Sequence, residues 1–173
     1  MTTSDPTPRQ RQIAAFVAAL ERLDAAGRAR LKRNAGRALG QARDVQRVFF
    51  QAVPFDVPER QHEDYFLVAT LYPMAGPRTG GATLGATMRQ VRRGRVSASL
   101  DRRFQTLLDS DREQLPFRLR QAVRLAAATD QAIDWAQLLG DLLAWEHPDR
   151  YVQLRWARDY YVDRPEGDQG QPA

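Results

Sequence analysis

Apolar residues recur at helical spacing along almost the whole chain, and this periodicity limits the fold more than any other feature. Ile13, Phe16, Val17, Leu20 and Leu23 repeat at i, i+3, i+4, i+7 and i+10, which is one stripe on a helix. Pro8 suits its first turn. Asp24 can cap a second helix carrying Leu31, Ala35 and Leu39, with Gly36 and Gly40 weakening its end. A third is expected from about Gln41 to Ala52, before the breakers Pro54 and Pro58. His62 to Tyr72 reads as a strongly apolar helix stopped by Pro73, and PMAGPRTGGAT reads as a loop. Thr83 starts the next helix and Ser97 can cap another. Asp111 opens a longer one, with Leu115, Leu119, Ala122, Val123 and Ala126 as its core stripe. Asp134 caps the helix of Trp135, Leu138, Leu139 and Leu142, and a last helix with Tyr151, Leu154 and Trp156 follows His147-Pro148. No strand pattern of useful length and no internal repeat interrupts this series. The expected fold is all-α with about eight or nine helices, as a single compact domain or two small lobes sharing a core.

A chain of 173 residues can bury roughly 70% of its unfolded surface, so it needs no covalent staples. It has no cysteine, which excludes disulfides, thiolate metal sites and a cysteine nucleophile. The helical domain is expected to span residues 9–163. Residues 1–8 and the tail 164–173, RPEGDQGQPA, lack apolar anchors and are expected to be disordered. The N-terminus MTTSDPTPRQRQ has no apolar core of a secretory signal, and the apolar runs fall short of the roughly 20 residues that span a bilayer. The expectation is a cytoplasmic protein with no membrane contact.

Catalytic and metal constellations are not visible. The two histidines, His62 and His147, lie far apart and outside any HExxH pattern, which favours surface or capping roles. TGGATLGAT lacks the Lys-Ser/Thr that a phosphate-cradling loop requires. The acid pairs Asp109/Asp111 and Glu63/Asp64 read as caps near helix starts. Trp135, Trp145 and Trp156 read as core. No cofactor and no enzymatic activity are expected.

The usable chemistry is arginine placement. Of 26 basic residues, Lys32 is the only lysine. Residues 28–47 carry a balance of +6, residues 89–124 carry +6, and residues 130–168 carry −5. Such segregation favours a polyanion on one face. On a continuous helix Arg30, Arg33 and Arg37 fall within about 60° of one another. Arg102 and Arg103 lie off the stripe of Leu100, Phe104, Leu107 and Leu108. Arg120 and Arg124 sit one turn apart on a flank of Leu119 and Val123. Guanidinium groups fork onto two phosphate oxygens and stay charged, and rows of them grip a backbone without reading bases. The residues also admit a helical adaptor whose arginines pair with acidic partner surfaces, and the acidic C-terminal third suits that alternative.

In these same stretches the sequence resembles the CasB family, the small subunit of the type I-E CRISPR Cascade complex. The matching pieces are LKRNAGRALGQARDVQRVFF, DYFLVATLY, TLGATMRQV, DRRFQTLLDSDREQLPFRLRQAVRLA and IDWAQLLGDLLAWEHPDRYVQLRWARDYY. They fall in the family's order over roughly residues 10–162. The resemblance implies an all-helical subunit without catalysis, two copies of which sit side by side in an RNA-guided complex. It implies contacts with the backbone subunits that coat the CRISPR RNA and with the large PAM-reading subunit. It further implies a basic surface that holds the guide–target duplex region and the displaced DNA strand, stabilising the R-loop. Carried over by motif, LKRN places Lys32 and Arg33 on that surface and RRF places Arg102 and Arg103 there. FRLRQAVRL adds Arg120 and Arg124, and Arg150 follows the tryptophan-bearing helix. Arg30, Arg37 and Arg43 rest on the helical-face argument alone. The loop GPRTGGA is short and glycine-rich, a departure from longer loops in relatives.

Overall fold

A computed structural model describes residues 5–94 and 97–162. Of the termini expected to be disordered, residues 1–4 and 164–173 lie outside the described residues. Nine α-helices occur among the described residues: α1 Pro8–Glu21, α2 Ala25–Arg33, α3 Gln46–Ala52, α4 His62–Leu71, α5 Leu84–Gly94, α6 Ala98–Leu108, α7 Leu115–Ala128, α8 Trp135–Leu143 and α9 Tyr151–Tyr161. Short 3-10 turns precede α3 and flank α4. The extended pairing among the described residues is an isolated bridge between Pro77 and Ile133. The all-α expectation therefore holds.

Helix starts follow local side-chain chemistry. Thr7, Asp24, Ser97 and Asp134 each accept a backbone N–H from the first turn that follows, which satisfies donors left open at a helix N-terminus. Thr83 accepts from Ala86 N at 3.2 Å in the same way ahead of α5.

Helix ends depart from expectation where distant residues intervene. α2 stops at Arg33 instead of reaching Leu39. Asn34 is buried there, and its amide donates to the Arg30 carbonyl at 2.9 Å and to the Asp44 carboxylate at 3.2 Å. Gly36 then turns the chain at φ +81°, a left-handed conformation that a side chain disfavours. α3 begins at Gln46, later than expected, because Leu39–Gln41 forms a 3-10 turn. α7 begins at Leu115, and Asp111 caps the preceding turn by accepting from Gln114 N. Asp109 lies at the C-cap of α6, not near a helix start.

One contiguous core joins the nine helices. α4 is apolar all round, buried from Asp64 to Leu71, and packs against α2, α7 and α8 as the central rod. Phe16, Phe49, Tyr65 and Phe66 pack edge-on around its first turns, at centroid separations of 4.9–6.3 Å. The C-terminal part is centred on Trp145 and Trp156, 5.1 Å apart, and on Phe104 stacked on Tyr160 at 4.0 Å. All three tryptophans are core, as expected.

A buried polar cluster locks α8 to α9. Asp141, 2% exposed, accepts from Trp156 Nε1 at 2.6 Å, from Gln137 Nε2 at 2.9 Å and from the Arg155 guanidinium. Burial pushes its carboxyl above the usual range, against the pull of Trp156 and Arg155. Removing one partner of such a cluster leaves the others desolvated and unpaired. Asp141→Ala is expected to cost about 3 kcal/mol, read as a lower urea midpoint. Asp141→Asn, which keeps an acceptor for Trp156, should recover part of that loss. A loss below about 1 kcal/mol for the alanine would show the cluster to be dispensable.

Candidate nucleic-acid interface

Two helices remote in sequence, each packed against α4 and the Tyr72–Met74 turn, bring the first cations together. α7 buries Leu115, Leu119, Ala122, Val123 and Ala126, which leaves Arg120 and Arg124 exposed one turn apart on its flank. α2 buries Gly27 and Leu31 and leaves Lys32 exposed. Lys32, Arg120 and Arg124 line one groove of about 430 Å3 with Ala35, Met74 and Ala127. None of the described residues that line it is acidic. The Gly36 turn lets the end of α2 pass close over α7: a Cβ on Gly36 would sit 3.6 Å from Arg120 Cδ.

The remaining expected residues divide into three groups. Arg30, Arg33 and Arg43 are exposed, and like Lys32, Arg120 and Arg124 they form no ion pair among the described residues. The groove does not include them. Arg102 and Arg103 are exposed on α6, also without an ion pair among the described residues. Arg103 lines the crevice between α6 and α7 beside Arg118 and Gln121. That crevice lies on the opposite flank of α7 from the groove, so the exposed ridge of α7 runs between the two sets.

One residue leaves the face expected of it, and another, exposed as expected, also ties two helices together. Arg37 is not on the α2 face with Arg30 and Arg33, because the helix has already ended; its Nη1 donates to Asn34 Oδ1 at 3.4 Å. Arg150 is a structural tie. It adopts a left-handed φ of 50° ahead of α9 and donates to the Leu108 carbonyl at 2.8 Å, which pins α9 to the end of α6.

Part of the second basic block is consumed internally. Arg112 forks onto Asp64, with Nη2 at 3.2 Å from Oδ2, and its Nε lies 3.1 Å from Glu146. Burial pushes the Asp64 carboxyl up, with Arg112 pulling against it. Arg92 lies 3.1 Å from Asp101, which also accepts from the Tyr160 hydroxyl at 2.7 Å. Arg89 donates to the Val162 carbonyl. The local balance of +6 thus overstates the charge available to a ligand.

Two residues that the sequence did not single out belong to this surface. Arg60 and Phe117 line a cavity of about 550 Å3 adjoining the groove, together with Arg37 and the Arg112 cluster. Phe117 was legible in principle, because it falls off the α7 core stripe. Arg60 carries no such signal. His147 is exposed and accepts from Asp149 N, whereas His62 is half-buried, packs edge-on against Phe49 and Phe50 and lies 3.2 Å from the Val57 carbonyl. Among the described residues no cluster of three or more His, Asp or Glu could hold a metal ion, and no helix is long and apolar enough to cross a membrane.

The profile of the CRISPR-associated protein Cse2 family matches residues 27–161. The chain is 46% identical over 107 residues to a CRISPR-associated protein Cse2 from Thermus thermophilus; the match covers 61% of this chain and about three-fifths, 60%, of that relative. It is similar to the crystal structure of CasB from M. ruber, at 33% identity and a TM-score of 0.73, over 87% of this chain and 92% of that one. It is also similar to a chain in a structure of a CRISPR RNA-guided surveillance complex, at 25% identity and a TM-score of 0.73, over 88% of this chain and 92% of that one.

Proposed function

The chain belongs to the CRISPR-associated Cse2 family, also called CasB, and we propose that it is the small, non-catalytic subunit of an RNA-guided surveillance complex of the type I-E Cascade kind. In this reading its work is to hold a nucleic-acid backbone. The observation that carries it is the convergence of Lys32, Arg120 and Arg124, from helices remote in sequence, on one groove with no carboxylate among its described lining residues.

Strand displacement explains what such a groove achieves. Exchanging a DNA duplex for an RNA–DNA hybrid is nearly balanced in free energy, so a few backbone contacts on the displaced strand can tip it. Cations that meet phosphates release condensed counterions and act on any sequence. The guide RNA supplies the specificity. Arg33, Arg102 and Arg103 extend the cationic surface to the duplex region or to the strand where it crosses α7.

Protein contacts complete the role. Tyr151, Leu154 and Tyr161 lie on one exposed face of α9, with Leu154 66% exposed. That face suits docking on the complex's backbone and large subunits and on a second copy of the chain. It also favours the adaptor reading, in which the arginines serve acidic protein surfaces instead.

Salt separates the two readings. Fluorescence anisotropy of the full chain with a single-stranded oligonucleotide should give a linear fall of log K with log salt. Three phosphate contacts correspond to a slope of about −2, and further arginines steepen it. A flat response would leave the adaptor reading in place.

A further inference from the structure

The cavity beside the groove differs from it in chemistry, and a role for it in holding a strand rests on the strand-binding reading of the groove. The two meet at the Gly36 turn, where Arg120 Cδ and the Pro116 carbonyl lie 3.6 and 3.8 Å from the position of a Cβ. The cavity has a volume of about 550 Å3, ample room for a heterocyclic ring and its sugar. Phe117 lines it, although more than half of that residue remains exposed at 57%, and the Arg118 guanidinium lies 5.5 Å from its ring centroid. Arg37, Arg60 and Arg112 contribute cations, whereas Glu63, Asp64, Glu113 and Glu146 contribute carboxylates; Arg112 is already committed to Asp64 and Glu146, and Glu63 accepts from Leu39 N.

This mixture discriminates between the parts of a nucleotide. A phosphate pushed into the cavity would meet four carboxylates against three guanidinium groups, one of them already committed to Asp64 and Glu146, and would find no net attraction there. An uncharged base needs none. Its π-face can stack on Phe117, and its exocyclic amine can donate to a carboxylate, which is an acceptor only. The phosphates on either side of that base have cations within reach: Arg120 toward the groove, and the exposed Arg37 and Arg60 of the cavity's lining. We infer that this cavity receives one unstacked nucleobase from a strand whose backbone lies along Lys32, Arg120 and Arg124. Adenine, cytosine and guanine, which carry an amine, fit it better than thymine.

Intact and abasic strands distinguish the cavity from the groove. A labelled oligocytidylate and an abasic strand with the same number of phosphates are titrated with the full chain. The intact strand should bind about fivefold more tightly, the contribution of one stacked base. Phe117→Ala should remove that advantage and leave the abasic affinity unchanged. Its exposed position keeps the substitution clear of the core. Equal, salt-dependent affinities for the two strands would overturn the inference while sparing the groove, and would leave the cavity to a protein segment. Binding of neither strand would remove the strand-binding reading itself.

Discussion

Gly85→Ala is expected to destabilise the protein by about 3 kcal/mol or more, the upper end of the cost of overpacking. Gly85 lies in the first turn of α5, where the helix crosses α9 backbone to backbone. A Cβ built there falls 2.8 Å from both Cα and the carbonyl carbon of Trp156, and closer still to its oxygen. Those atoms are main chain, so no rotamer change relieves the clash and α9 must retreat. Retreat is costly, because Trp156 is fully buried and its indole donates to Asp141. Thr83, two residues before the glycine, donates its hydroxyl to Asp159 of α9 at 2.7 Å, and that bond is lost as well. In a chain of this size the loss corresponds to a fall in melting temperature of roughly 10 °C. Gly94→Ala is the control. Among the described residues nothing lies within 4 Å of its Cβ position, so its effect should stay within about 0.5 kcal/mol. Similar behaviour of the two variants would show that α5 and α9 can separate freely.

The TLG segment that carries Gly85 illustrates what the sequence does and does not reveal. The glycine reads as an ordinary weakness in a helix until α9, about 70 residues later, arrives against it. The side-chain-capped helix starts were legible because an N-cap is local: Asp24, Ser97 and Asp134 reach backbone three residues ahead, whereas α3 and α7, which have no such cap, start later than expected. The end of α2 was not, because it depends on Asn34 meeting Asp44 across a turn. Arginine roles divide along the same line. A periodic pattern shows which side of α7 Arg120 occupies, but no pattern shows that Arg112, in the same basic block, is held by Asp64 from α4. Ion pairs are long-range in sequence, so counting charges gives the sign of a surface and not its membership. The groove required two helices to be brought side by side on α4 and the Tyr72–Met74 turn, and only its individual cations could be read in advance.

Removing the three groove cations together, as Lys32→Gln, Arg120→Gln and Arg124→Gln in one chain, should weaken binding to single-stranded DNA by about 30-fold at low salt and flatten the salt slope by about 2. Both effects share one cause. Each lost cation is one phosphate no longer neutralised and one set of counterions no longer released. The deficit should therefore shrink as salt rises, where a deficit from misfolding would persist. Folding should be unaffected within about 0.5 kcal/mol, since none of the three forms an ion pair among the described residues or lies in the core. Arg112→Gln is expected to behave in the opposite way. It strands the buried Asp64 carboxylate and lowers stability, while the salt slope stays as it was. Arg102→Gln with Arg103→Gln tests the far flank of α7. A further flattening of the slope would mean that the strand crosses the α7 ridge, whereas an unchanged slope would confine it to the α2–α7 side. If the triple variant keeps the full slope, the groove is not where the backbone lies, and the cations of α6 become the seat of whatever binding remains.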